Sequence, residues 1–244
     1  MISSTLMKWT PKWMKTKVLG STLEHVLAPI YFLTTNFDSY EFRTPQGVVQ
    51  LELPEGVGFT KIAEQGELYE SALVDAMSKS GLSGEAFYDV GARYGFSSRA
   101  ATLCGVSEAN IYAFELSDIY FRILQRNLPK AHLEKCRVGD GNSGTIGLAK
   151  YAKQARTAPS AIKVDVEGAE GAVLNGLWPL LKNEKPTLFI ELHPYWIGPQ
   201  MADDLVKRIT NIGYEVLLSD HHSGENDWRR YTEPMEEEFL IWCR

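Results

Sequence analysis

Residues 86–98 read Ala86-Phe87-Tyr88-Asp89-Val90-Gly91-Ala92-Arg93-Tyr94-Gly95-Phe96-Ser97-Ser98. An apolar run of strand length ends in an acid, passes through two glycines and meets a serine pair that can open a helix. Strand, glycine turn and helix in that order form the first half of a βαβ unit. Glycines at such a turn let the backbone come close to a ligand, and the free N–H groups of the following helix suit an anion. A glycine turn with no ligand has the same look, so this stretch speaks to the fold before it speaks to function.

The same alternation continues downstream. Strands are predicted over residues 86–90, 111–115, 133–138, 161–165, 187–191, 214–218 and 238–242, with helical stretches between the first six. The segment between the last two is polar without a helical period, so those two read as an antiparallel hairpin. Upstream, Leu68, Ser71, Leu73, Val74 and Met77 predict an amphipathic helix that stops at Gly81. Alternation of this kind predicts a largely parallel sheet with helices on both faces. Residues 1–60 have another texture. Lys8, Lys12, Lys15 and Lys17 interleave with Trp9, Trp13 and Met14, and a β-like stretch over 48–53 lies between Pro45-Gln46-Gly47 and Pro54-Glu55-Gly56. The expected division is an appendage over 1–60, with a helix and a short hairpin, and one domain over 61–244.

Composition narrows the class. Hydrophobic residues make up 44% of the 244 and charged residues 23%, enough for a full core. The net charge of -6 argues against a dedicated nucleic-acid binder. Cys104, Cys136 and Cys243 are odd in number and far apart, which argues against a disulfide framework or zinc site and favours a reducing, cytoplasmic setting. No continuous apolar stretch follows the N-terminal lysines, which argues against a cleaved signal peptide. The apolar run over 26–33 is far short of the about 20 residues that span a bilayer. The Trp9/Trp13 pair among lysines could rest on a lipid interface, so peripheral membrane contact through residues 1–20 is one expectation, and an ordinary packed helix is the other.

In open α/β sheets, ligands bind at the carboxyl ends of the strands, near the switch in strand order. The first strand offers Asp89, Gly91, Ala92, Gly95 and Phe96, with Asp89 accepting from a ligand ammonium or holding the turn. The second ends in Glu115 and Leu116; an acid there can accept both ribose hydroxyls, or it is a surface carboxylate. The turn lacks the G-x-G-x-x-G spacing of a nicotinamide enzyme. The third ends in Asp140-Gly141, an adenine contact or a plain turn. The fourth runs Ile162-Lys163-Val164-Asp165-Val166-Glu167-Gly168-Ala169-Glu170. Lys163, Asp165 and Glu167 alternate and would share one face of an extended strand, where charge is costly unless paired or functional. The bland alternative is a Lys–carboxylate pair with Glu170 capping the next helix. The fifth strand ends with Glu191 and His193 on one face, and His is the usual general base near neutral pH.

The segments Phe87-Tyr-Asp-Val-Gly-Ala, Tyr112-Ala-Phe-Glu, Ile162-Lys-Val-Asp-Val-Glu-Gly-Ala-Glu, Val173-Leu-Asn-Gly and Ile190-Glu-Leu-His resemble the FkbM family of class I S-adenosylmethionine-dependent methyltransferases. The likeness covers roughly residues 65–195, and the closing hairpin is compatible with it. Arg93 stands where the family usually has Asn, and Glu115-Leu116 where it has Glu-Pro. The resemblance implies a Rossmann-like, seven-stranded, mostly parallel sheet with a C-terminal antiparallel hairpin. It also implies S-adenosylmethionine as cofactor and O-methylation of a hydroxyl on a sugar, glycan, glycolipid or polyketide-like metabolite. The expected cofactor contacts are Asp89, Gly91, Ala92, Gly95, Phe96, Glu115, Leu116, Asp140 and Gly141. His193 is the expected base, with Asp165 and Glu191 as supporting or alternative bases and Lys163 orienting them; Glu167 and Tyr94 are expected at the substrate. A metal assisted by Asp165, Glu167, Glu191 and His193 is the less favoured route, and no metal ligand is expected. Expected partners are a small-molecule or glycan hydroxyl substrate, no nucleic acid, and a second copy if the chain forms a homo-oligomer. Two other readings stand beside this one: a cofactor-binding scaffold that acts through residues 1–60 without catalysis, and an RNA methyltransferase, disfavoured by charge and by the lack of a Lys-Asp-Lys-Glu arrangement.

Overall fold

The computed structural model describes residues 32, 34–55, 60–82, 86–142, 144–219 and 228–244. The segment 1–20, and with it the expected N-terminal helix and lipid contact, lies outside these residues. A hairpin of β1 (Phe37–Thr44) and β2 (Gly47–Pro54) comes first, closed by Pro45 and Gln46. Helices α1 (Thr60–Gln65) and α2 (Ser71–Lys79) follow. The alternating part is β3 (Ala86–Val90), α3 (Phe96–Leu103), β4 (Ile111–Glu115), α4 (Asp118–Asn127), β5 (His132–Lys135), α5 (Leu148–Ala155), β6 (Pro159–Val164), α6 (Glu170–Asn183) and β7 (Thr187–Leu192). It closes with α7 (Pro194–Ile197), α8 (Pro199–Asn211), β8 (Val216–Ser219), β9 (Arg229–Arg230) and β10 (Phe239–Cys243).

The strands after β2 form one sheet in the order β5-β4-β3-β6-β7-β10-β8-β9. From β5 to β7 every pairing is parallel. β10 enters between β7 and β8 and runs antiparallel to both. The expected seven strands are present, with the two-residue β9 added antiparallel on the edge of β8. β3 is buried along its whole length because helices cover both faces. Its side chains split between two clusters by the period-2 rule: Phe87 packs with one, Tyr88 and Val90 with the other.

Order reverses beside β3. The chain steps outward through β4 and β5, then returns to place β6 on the other side of β3. The crevice at the carboxyl ends of β3 and β6 is therefore the switch point where such sheets bind ligands. Phe42, Val49, Leu51 and Leu53 of the hairpin are buried in the same cluster as Leu73, Met77, Ala100 and Phe87. Asn127 of α4 staples the hairpin further. Its Oδ1 accepts from Glu52 N at 2.7 Å, while its Nδ2 donates to Glu52 O at 3.2 Å and to Tyr94 O at 2.9 Å. All three cysteines are free. Among the described residues, no helix is long and apolar enough to cross a membrane.

Candidate active site

The turn after β3 is built around Asp89. Asp89 is fully buried, and its Oδ2 accepts from Ser98 Oγ at 2.6 Å, tying β3 to the first turn of α3. Burial holds its carboxyl above the usual range, against Lys163 and Ser98, which lower it. Of the two roles open to Asp89, the geometry favours holding the turn. Gly91 (φ 81°) and Gly95 (φ 89°) adopt left-handed conformations, and so does Arg93 at φ 50°, where a side chain is strained. Gly91 N and Ala92 N both donate to Phe114 O, which locks the turn to β4. Phe96 opens α3 and meets Phe42 and Tyr69 edge to face.

Glu115 ends β4 with its carboxylate spread between two backbone donors. Oε2 accepts from Arg93 N at 2.8 Å and Oε1 from Ser117 N at 2.7 Å. Burial raises its pKa, and these backbone bonds oppose that. Leu116 beside it is half exposed. Asp140 lies in the exposed loop after β5. It closes a local turn, accepting from Asn142 N, Asn142 Nδ2 and Thr145 Oγ1, and Gly141 N donates to Thr145 Oγ1. Tyr94 is buried against Tyr120 and under the Arg93 guanidinium, so it shapes the turn from within rather than facing a substrate.

The other half of the crevice gathers charge. β6 stops at Val164, one residue short of the expected end, and the chain leaves through left-handed Glu167 (φ 46°) and Gly168. Glu167 therefore does not continue the strand face of Lys163 and Asp165, as expected; it sits exposed in the turn. Buried Lys163 donates from Nζ to Asp165 Oδ2 at 2.9 Å. Burial disfavours its charge, but Asp165, Asp89 and Glu191 outweigh that and hold it protonated. His193, at the end of β7, has Nδ1 2.7 Å from Glu170 Oε1, which also accepts from Gly168 N at 2.9 Å. Its Nε2 lies 3.4 Å from Glu191 Oε1, 3.7 Å from Glu238 Oε2 and 3.8 Å from Asp165 Oδ1. Burial lowers the pKa of His193, yet contact with Glu170 and Glu191 and the charge of Asp165 push it up to about 10.

The structure thus brings Lys163, Asp165, Glu191 and His193 together as expected, and adds two acids. Glu170 caps nothing from the surface: it is fully buried and holds His193. Glu238 stands just ahead of β10, whose Phe239 pairs with Leu192, and no local motif marks it. Tyr195 and Trp196, two and three residues after His193, are exposed, 85% and 62% respectively. The two halves touch through the backbone. Asp165 N donates to Val90 O at 2.9 Å, and a β-carbon on Gly91 would stand 1.7 Å from Asp165 O.

No protein-family profile and no curated protein matches the sequence. Solved structures do share the fold. A TehB-like SAM-dependent methyltransferase from Corynebacterium glutamicum superposes with a TM-score of 0.50 at 13% identity, over 76% of this chain and 92% of that one. The fold is the Rossmann-like fold of class I methyltransferases. An FkbM methyltransferase from Methylobacillus flagellatus is similar at a TM-score of 0.49 and 20% identity, over 66% of this chain and 44% of its own, so this chain spans less than half of that protein. Aeropyrum pernix fibrillarin, solved with natively bound S-adenosyl-L-methionine, is similar at 0.45 and 10% identity, over 71% of this chain and 76% of its own.

Proposed function

We propose that the chain is an S-adenosylmethionine-dependent methyltransferase that methylates a hydroxyl on a sugar, glycan, glycolipid or polyketide-like metabolite. The observation that carries this reading is the contact between Gly91 and Asp165. It sets the glycine turn and Glu115, which suit a nucleoside bearing an amino acid, directly against the carboxylate and histidine cluster of β6 and β7. Residues of the first half would hold a methyl donor beside an acceptor held by the second. Methyl transfer is an in-line displacement, so alignment supplies much of the acceleration. When bound, S-adenosylmethionine supplies the methyl group.

The residues divide the remaining work. Glu115 accepts from the ribose, exchanging part of its backbone bonding for the two hydroxyls. Lys163 fixes Asp165 and offsets the charge around it. The acceptor hydroxyl must lose its proton as the new bond forms. His193 was the first expectation for that base, but its carboxylate neighbours keep it protonated well above neutral pH. Asp165 therefore takes the proton near pH 7, and His193 orients the hydroxyl by donating from Nε2. Residues 1–60 serve substrate access, self-association or membrane contact.

Titration calorimetry with S-adenosylmethionine and its demethylated product tests the donor half. Glu115→Ala should weaken both by about 1.5–3 kcal/mol, the usual cost of a lost charged acceptor; unchanged affinity in a folded variant removes the ribose role. On a hydroxyl acceptor, Asp165→Asn and His193→Ala should each lose about 10²–10⁴-fold in turnover with donor affinity kept. Near wild-type turnover in both would remove the acceptor half.

A further inference from the structure

We propose that Asp165, Glu191 and His193 form a binding site for one divalent cation, with Glu238 at its open side. This deepens the acceptor half of the functional reading: with the cation bound, His193 gives up its Nε2 proton, and the cation orients the acceptor hydroxyl in place of His193 and Asp165; only that use of the cation rests on the functional reading. One ligand atom each from Asp165, Glu191 and His193 lies within 4.8 Å of the other two. From Nε2 the carboxylate oxygens stand at 3.4, 3.7 and 3.8 Å. These gaps exceed a charge-assisted hydrogen bond of about 2.7–2.9 Å. They approach the roughly 3.0–3.4 Å between neighbouring donors around a cation held at about 2.0–2.1 Å.

A second observation is independent of the acids. The His193 side chain is 93% buried, being 7% exposed, and its Nε2 faces all three carboxylates at once, the nearest being Glu191 Oε1 at 3.4 Å. Nδ1 is taken by Glu170 Oε1 at 2.7 Å. A neutral ring that donates from Nδ1 to a buried carboxylate presents its Nε2 lone pair, which is how metal-bound histidines are held. Asp165 is braced in the same manner, since Lys163 occupies Oδ2 and leaves Oδ1 toward the cluster. Four carboxylates, Asp165, Glu170, Glu191 and Glu238, face one lysine here, so charge also calls for a cation. Carboxylate oxygens with one imidazole suit Mn²⁺, Mg²⁺, Fe²⁺ or Zn²⁺ rather than a soft ion. The side chains of Asp165 and Glu238 stay 27% and 33% exposed, so an acceptor oxygen can reach the cluster from solvent as a further ligand. A hydroxyl bound to the cation would lose its proton more readily, with Glu238 beside it to accept that proton.

Mn²⁺ alone is the probe. The full chain is stripped with chelator, Mn²⁺ is titrated in, and free ion is followed by its paramagnetic resonance signal while donor binding is measured by calorimetry. The expected result is one Mn²⁺ per chain in the wild type, and at least tenfold weaker binding in both Asp165→Asn and Glu191→Gln, each folded by circular dichroism. Glu170→Gln, which disturbs only the brace on His193, should weaken Mn²⁺ by about 10–100-fold. A wild type that binds S-adenosylmethionine but not Mn²⁺ overturns the cation site and leaves the donor reading intact. Mn²⁺ bound without S-adenosylmethionine supports the cation site and overturns the donor reading. Wild-type Mn²⁺ affinity in both folded first-named variants also overturns the site.

Discussion

Only glycine can stand at position 91, because any side chain would drive into the Asp165 carbonyl. Around that contact two residues other than glycine, Arg93 and Glu167, hold left-handed backbone at about 1–2 kcal/mol each. The site is the place where local preference is overridden. His193 gives this scale its prediction. The groups facing it are Glu170 from α6, Asp165 beyond β6, Glu191 of β7 and Glu238 ahead of β10, with Lys163 paired to Asp165. In the cation-free protein its folded pKa of about 10 lies above the about 6.5 of an unfolded histidine. Its contribution to stability is then complete below about pH 6.5 and lost as pH rises toward 10. Thermal melts in chelator should fall across that window more steeply for wild type than for His193→Gln; parallel curves would show that the ring carries no proton. Asp165, Glu191 and His193 were legible in sequence because period-2 spacing and strand-end position depend on nearby residues alone. Glu170 looked like a helix cap, since nothing local shows that β7 delivers a histidine to its side chain. Glu238 was invisible for a related reason: its place depends on where a distant strand docks.

Among the elements, β3 and β4 match the expected spans residue for residue, because glycine turns and polar caps punctuate both ends. β5 was expected to run through Val138 but ends at Lys135, and Val138 keeps only an isolated bridge to Ile146. Apolar residues such as Val138 pack whether or not they pair, so hydrophobicity alone overextends a strand. The hairpin β1–β2 was expected from its turn signals, but its seating was not. That seating runs through one side chain, Asn127, whose amide holds Glu52 of the hairpin and Tyr94 of the glycine turn together. Asn127→Ala leaves Tyr94 O short of a partner in a buried setting and Glu52 N in a part-buried one, and should cost about 1–3 kcal/mol, measured by chemical denaturation. Because Tyr94 lies inside the ligand turn, donor affinity should fall as well. Loss of stability with unchanged donor affinity would separate the hairpin from the site.

At the scale of the whole molecule, strand order carries the fold, and fold alone does not choose a substrate. The acceptor must therefore be argued from the β6, β7 and β10 ends. Residues 1–20 keep their own test: flotation with liposomes should be reduced by their removal, and no difference would discard the lipid contact. The lane occupied by β10 has a further consequence. β7 and β8 are made before it, yet it lies between them and completes the cluster with Glu238. While the chain is being synthesised, two strands therefore wait with bare inner edges, and such edges recruit strands from other molecules. A chain cut before residue 236 should self-associate in gel filtration and light scattering instead of yielding a monomeric, inactive core. β10 thus also guards β7 and β8 against other copies of the chain, and a nascent chain stalled just short of it is the form most exposed to aggregation.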